Sequence, residues 1–341
     1  MATKIPTMSQ TKTIAILGAT GNQGGSVATT FLSDPSWRVR ALTRSPSSNK
    51  ALALASLGAE IVHADMDSPA SLSAAFADVH AIFAVSDFWG LYFDPGNKSQ
   101  AGAEPLNVWA GKHETEQLKR VIDAAAQVPT LERFVLSSLS DVTRWSRGKY
   151  THVYHFDAKA RAEVYGRETY PELWARTSVV QAGVFLGNFV ALPGMLPERT
   201  ANSNVQFTGY IDADVKLPFI AAEEDTGPFV QALVQESAGK NLIGYRGWLS
   251  MREISAAFEE ATGFKTEFVR LPKEQVNSNF PPELREEMDD TWAYLDEFGY
   301  DGRDDPTVVH PKDLESPPQL GSVVDWFKKQ DWSKVLCEQG K

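Results

Sequence analysis

From Thr13 onward, short runs of consecutive apolar residues alternate with longer segments whose apolar positions recur every three or four residues. Unbroken apolar runs suit strands buried on both faces, and the three-to-four spacing suits helices that bury one stripe; the alternation spells parallel βαβ units. The predicted strands are Thr13–Leu17, Val39–Thr43, Glu60–His63, Ala81–Val85, Arg133–Ser137 and Trp174–Val180, with helices at Gly24–Leu32, Ala51–Leu57, Pro69–Phe76 and Glu114–Ala126. The expected architecture is α/β, a doubly wound and mostly parallel sheet over residues 11–188. After Asn188 the alternation weakens to a strand near Val205–Tyr210 and helices near Phe229–Glu236 and Ser250–Thr262, which predicts a smaller C-terminal α/β lobe over 189–341. Pro281–Asp305 is crowded with acidic residues and reads as a solvated helix and loop rather than a binding site.

Phe88 to Leu106 interrupts the rhythm with Gly90, Pro95, Gly96, Gly102 and Pro105 among aromatic residues. It follows the fourth strand, and loops at the carboxyl ends of parallel strands face the ligand crevice, so two readings stand: a cover for a site, or a surface insertion with half-buried aromatics. Between the first strand and first helix lies Gly18-Ala19-Thr20-Gly21-Asn22-Gln23-Gly24. In that context the glycines permit a tight turn, close backbone approach to a pyrophosphate and helix packing on the sheet, while the helix N-terminus faces the phosphates, as in Rossmann domains. Gly18, Thr20, Gly21, Asn22, Gln23 and Gly24 are therefore cofactor-binding candidates. At the end of the second strand, Thr43-Arg44-Ser45 offers no carboxylate for the ribose hydroxyls of NAD. Arg44 and Ser45 suit a 2′-phosphate instead, which selects NADP(H). Asp65 and Met66 after the third strand would border the adenine, and Val85 after the fourth would lie along the nicotinamide half.

Composition narrows the partners. The chain carries 33 Lys plus Arg against 44 Asp plus Glu, a formal net charge of −11, which disfavours direct nucleic-acid binding. The only cysteine, Cys337, allows no intrachain disulfide and suits a reducing compartment. The first ten residues lack a signal-like apolar core, and Val179–Leu196 is broken by Gln181, Asn188 and Pro193, so a cytoplasmic protein without a membrane span is expected.

The phosphate loop, Thr43-Arg44, Gly111-Lys112, Val135-Leu136-Ser137, His155-Phe156-Asp157-Ala158-Lys159 and Asn188 together resemble the NmrA-like family of atypical short-chain dehydrogenase/reductases over nearly the whole chain. The resemblance implies NADP(H) binding, with Lys112 and Lys159 among the cofactor contacts, more firmly than any reaction, and a C-terminal lobe over 189–341 that shapes the substrate pocket. Related isoflavone-reductase-like enzymes carry a catalytic Lys where Lys159 stands. Typical short-chain dehydrogenases place Tyr four residues before that Lys; here His155 occupies the place.

Residues four apart differ by about 40° around a helix, so His155 and Lys159 share a face and Tyr154 is turned away. Lys159 could hold the nicotinamide ribose or donate a proton, His155 could exchange one near neutral pH, and Ser137 could orient a substrate carbonyl. His152, His155 and Asp157 also invite a metal reading, since His-x-x-His on a helix places two imidazoles within reach of one ion, but no further ligand stands out and no metal is expected. Trp89, Phe185 and Asn188 are the substrate-binding candidates, in a lining that suits a bulky, partly aromatic molecule. Three functions stay open: an NADPH-dependent reductase of a carbonyl, imine or enone in a specialised metabolite of fungal biosynthesis; an NADP(H)-sensing regulator acting through a protein partner; and a non-redox cyclase or isomerase with retained cofactor. The candidate proton donor and the aromatic cover favour the first.

Overall fold

The computed structural model describes residues 11–337 except 193, 278–279 and 304. Strand and helix alternate from β1 (Lys12–Ile16) through α1 (Asn22–Leu32), β2 (Trp37–Thr43), α2 (Asn49–Ser56), β3 (Glu60–His63) and α3 (Pro69–Ala75) to β4 (Ala81–Ala84). Two short helices, α4 (Phe88–Phe93) and α5 (Asn97–Ala101), precede the long α6 (Leu106–Ala126), which leads to β5 (Arg133–Ser138). Next come α7 (Val142–Trp145), α8 (Tyr154–Thr169), α9 (Pro171–Trp174), β6 (Thr177–Ala182), β7 (Val184–Phe185), α10 (Asn188–Ala191) and β8 (Glu198–Arg199). The remainder comprises β9 (Val205–Gly209), β10 (Lys216–Ile220), α11 (Ala222–Gln235), β11 (Asn241–Gly244), β12 (Gly247–Ser250), α12 (Met251–Thr262), β13 (Thr266–Arg270), α13 (Lys273–Asn277), α14 (Pro282–Phe298), β14 (Val308–Val309), α15 (Val323–Lys328) and α16 (Trp332–Cys337).

Eight strands form one parallel sheet in the order β14-β11-β6-β5-β4-β1-β2-β3. The doubly wound parallel sheet expected from the apolar runs is the one observed. Its central strands β4, β5 and β6 bury both faces, and alternate residues go to opposite layers: on β1, Ile14 and Ile16 pack toward α1 and α11, whereas Ala15 joins Leu72, Leu118 and Val121 on the α3 and α6 side. The winding direction reverses between β1 and β4, and a ligand crevice opens outside the carboxyl ends of strands at such a reversal.

Three expectations change. The strand predicted from Trp174 begins at Thr177, because Pro171 starts a helical turn that Trp174 completes. The segment beyond residue 188 is not a lobe throughout: β11 pairs with β6 and β14 with β11 in the main sheet, and α11 packs on α1, while sheets β12-β10-β7 and β13-β9-β8 build the smaller C-terminal part. Most consequential is the acidic stretch, which is not a solvated helix and loop. Its helix α14 turns Leu284, Glu287, Met288, Thr291, Tyr294 and Leu295 into the interior, since its apolar positions recur at helical spacing and leave the other charges outward.

The α1–α11 contact depends on Gly227. A Cβ there would stand 2.1 Å from Thr30 Oγ1 and 2.4 Å from the Ser26 carbonyl oxygen, and the Gly227 amide donates to Ser26 Oγ at 2.9 Å. Gly187, by contrast, has open space around its missing Cβ and right-handed helical backbone. Gly227→Ala should therefore lose about 1–3 kcal/mol of stability, and Gly187→Ala should leave it nearly unchanged. Thermal melting of both variants checks this; equal midpoints would contradict the close packing.

Candidate functional site

The crevice at the reversal is built first by glycine. Gly18, directly after β1, adopts φ +65, and a Cβ on it would meet Val85 Cγ1 at 2.7 Å. Gly24 is more constrained still: a Cβ would lie 2.2 Å from the Gly18 carbonyl oxygen. Loop and helix thus pack at a distance only glycine allows. Helix α1 starts at Asn22 behind Gly21, with no side-chain cap and no acidic residue in its first turn. The first-turn amides of a helix have no partner within it, so Asn22, Gln23 and Gly24 offer N–H donors and the positive end of the helix to an anion. Thr20 lies half-buried within this loop.

Around this cradle, Ser137 Oγ at the end of β5 donates to Gln23 Oε1 at 2.8 Å, so Ser137 braces the loop. Arg44, just past β2, is exposed and has no ion-pair partner among the described residues, and the Ser45 amide donates to Thr43 Oγ1 at 3.1 Å. Asp65 Oδ1 accepts the Asp67 amide at 2.9 Å, while Met66 packs under the sheet. Asp67 accepts from Gln117 and Arg120 and contacts His113, tying this loop to α6. Burial acts to raise the Asp67 carboxyl, but the hydrogen bonds from Gln117 and His113 and the charges of His113 and Arg120 outweigh it and hold the group below its usual range.

A second cluster joins α6, α8 and α14. Lys159, buried on α8, donates from Nζ to Glu114 Oε1 of α6 at 2.6 Å and to the His155 carbonyl at 3.3 Å. One turn earlier, His155 Nδ1 meets Glu287 Oε1 of α14 at 2.7 Å, and the His155 amide donates to the same oxygen at 3.2 Å. Asn107 Nδ2 donates to Glu287 Oε2 at 3.0 Å and to the Glu283 carbonyl at 2.9 Å. Glu114 and Glu287 are fully buried. Both were missed in the sequence, where they read as ordinary charges on helices; their spacing on a buried helical face was the one available signal.

The aromatic segment is helical. Asp87 caps α4 by accepting the Gly90 amide at 2.9 Å, and a Cβ at Gly90 would collide with that carboxylate, so a glycine that suggested a loop in fact permits the cap. Phe88 and Trp89 lie 5.7 and 5.1 Å from the His155 ring, and Phe156 lies 4.9 Å from it. Tyr92 donates to Glu283 Oε1 at 3.1 Å, fastening α4 to α14. Burial, with the charges of Glu287 and Glu286, pushes the Tyr154 hydroxyl up, and its ring packs in the cluster of Phe88, Leu91 and Tyr92.

The structure thus brings His155, Lys159 and Trp89 together, and joins Gly18, Gly24, Gln23, Ser137 and Val85 in the neighbouring cradle. Lys112 is exposed and pairs with Glu104. Phe185 packs in the same core layer as Val85, and the Asn188 side chain takes no hydrogen bond among the described residues. His152 and His155 take separate carboxylates, Asp290 and Glu287, and Asp157 serves Thr143, so the His152, His155 and Asp157 set is not gathered at one point. No helix of the described residues is long and apolar enough to cross a membrane.

The sequence model of the NmrA-like family matches residues 10–338. The NmrA-like family domain-containing oxidoreductase hkm9 of Aspergillus hancockii is 31% identical over 293 residues, 81% of this chain and 80% of that protein. Its counterpart ptmS of Penicillium ochrochloron is 27% identical, covering 95% of this chain and 99% of that protein. Among solved structures, NmrA, a negative transcriptional regulator in complex with NADP, superposes with a TM-score of 0.70 at 21% identity, covering 97% of this chain and 98% of that one.

Removing one member of a buried ion pair leaves its partner's charge uncompensated, typically at about 3–5 kcal/mol. Lys159→Met should be destabilised on this scale because Glu114 has no other side-chain partner among the described residues, Oε2 already lying buried without one. Adding Glu114→Gln should recover much of the loss. Urea unfolding of the single and double variants tests this coupling, and strictly additive losses would contradict it.

Proposed function

Because this chain belongs to the NmrA-like family, we propose that it is an NADPH-dependent reductase of a carbonyl, imine or enone group in a bulky, partly aromatic small molecule. Bound NADPH supplies the hydride. The relatives' names as oxidoreductases and the NADP complex of a structural neighbour support the cofactor assignment. The chain's own residues fit the group: a cradle that a Cβ at Gly24 would fill, helix amides without a side-chain cap, and an exposed Arg44, without an ion-pair partner among the described residues, where a 2′-phosphate would lie.

The observation that carries the reading is the short segment Val85–Trp89. Val85 touches the glycine turn, and Phe88 and Trp89 touch His155. Three residues of chain, Val85 to Phe88, span at most about 11 Å, which supports reading the pyrophosphate cradle and the proton-bearing face of α8 as parts of one site. In this reading the amides of Asn22, Gln23 and Gly24 bind pyrophosphate, Arg44 and Ser45 bind the 2′-phosphate, and Ser137 holds the loop through Gln23. Lys159 fixes the nicotinamide ribose or the substrate oxygen with its remaining N–H, and His155 and Lys159 are the groups able to hold a proton beside the substrate. Trp89 and its neighbours exclude water and cover flat apolar surface.

Incubation of the purified protein with NADPH and a panel of aromatic ketones, imines and enones should consume reduced-nicotinamide absorbance with at least one member; none consumed across the panel would overturn the reading. Arg44→Ala should weaken NADPH binding roughly tenfold and NADH binding little, since an exposed charge-assisted contact to the 2′-phosphate is lost. Titration calorimetry with both cofactors checks this, and equal losses would contradict the phosphate assignment. His155→Gln should lower single-turnover reduction at saturating NADPH by about 10²–10⁴-fold. A rate near that of the unaltered protein would remove His155 from the chemistry.

A further inference from the structure

The contact between His155 and α14 carries more than packing. Glu287 lies 132 residues from His155 in sequence, is fully buried, and directs Oε1 at the imidazole. Its carboxylate is already supplied with N–H donors: the His155 amide on Oε1 and Asn107 Nδ2 on Oε2. A carboxylate accepts and the two surrounding N–H groups only donate, so the hydrogen of the third contact sits on Nδ1. The ring is also packed on several sides, with Phe88, Trp89 and Phe156 at 5.7, 5.1 and 4.9 Å. The other α8 candidate is less free: two of the three Lys159 donors go to Glu114 and the His155 carbonyl.

We infer that Glu287 is a positioning residue that pins the Nδ1–H tautomer of His155 and so makes Nε2 the atom that exchanges a proton with the substrate. The inference rests on the reductase reading and assigns the proton donor within it. The proton-donating form of the ring carries hydrogen on both nitrogens. The substrate's C=O or C=N π bond breaks as its carbon receives the hydride and its heteroatom receives the Nε2 proton. NADPH is thereby oxidised to NADP⁺, and His155 is left neutral with Nδ1–H retained against Glu287. A proton from solvent then restores the imidazolium. Asn107 keeps the Glu287 carboxylate from rotating, as outer partners of a working histidine commonly do.

The test uses the full chain labelled with ¹⁵N-histidine. The protein has six histidines, and His155→Gln identifies the ring signals of His155. At a pH where the ring is neutral, the unaltered protein should show hydrogen on Nδ1 and none on Nε2. Glu287→Gln should lose that preference, because a carboxamide can turn its NH₂ toward Nδ1. A His155 ring with its hydrogen on Nε2, or averaging between tautomers in the unaltered protein, would overturn the inference whether or not Glu287→Gln folds. On the kinetic side, Glu287→Gln should lower kcat about 10–100-fold with KM for NADPH unchanged. An unchanged kcat, or a loss confined to KM, would also overturn it. A pinned tautomer in a protein that oxidises no NADPH would instead overturn the reductase reading and leave the pairing standing.

Discussion

Two carboxylates, Glu114 and Glu287, lie wholly away from solvent, and an uncompensated buried charge costs several kcal/mol. Each therefore requires a specific partner: Glu114 takes the Lys159 ammonium, and Glu287 takes the His155 imidazole, its amide and the Asn107 carboxamide. Because these groups come from α6, α8 and α14, the electrostatic demand sets how three helices far apart in sequence meet. It also fixes the side chains on which the proposed chemistry rests. Burying a charge pair is weak evidence of stability gained, since apolar residues of similar size often do as well, so retaining it here is better explained by the geometry it imposes.

The rest of the site hangs from that junction. α14 holds α4 through Glu283 and Tyr92, and α4 places Phe88 and Trp89 against His155. Three residues upstream, Val85 closes on the glycine turn, which is possible only because Gly18 lacks a Cβ. The same turn is braced from β5 by Ser137 on Gln23. A cradle suited to a dinucleotide and a pair of proton-bearing side chains thereby share one wall.

What the sequence made legible was local. The glycine turn could be read because tight backbone approach admits few residues, and the central strands because burial on both faces leaves unbroken apolar runs. His155 and Lys159 could be placed on one face because four residues nearly complete a helical turn. Their partners could not, since nothing local to Glu114 or Glu287 marks them as buried; an acidic helix such as Pro282–Phe298 looks solvated until three-dimensional packing selects one face of it. The α4 segment was obscured by Gly90, whose purpose of admitting the Asp87 cap emerges only with the helix in place. The return of Asn241–Gly244 to the main sheet is likewise a long-range pairing, with β6, that apolar pattern alone does not order.

In the proposed reading the glycine cradle and the α8 proton-bearing face serve one reaction centre. A crystal structure of the NADP⁺ complex is the direct test. Expected there are pyrophosphate on the amides of Asn22 to Gly24, the 2′-phosphate on Arg44, and the nicotinamide ring on the His155 side of Val85, with room between ring and imidazole for one substrate. A nicotinamide directed away from His155, or separated from it by packed side chains of α14, would contradict it.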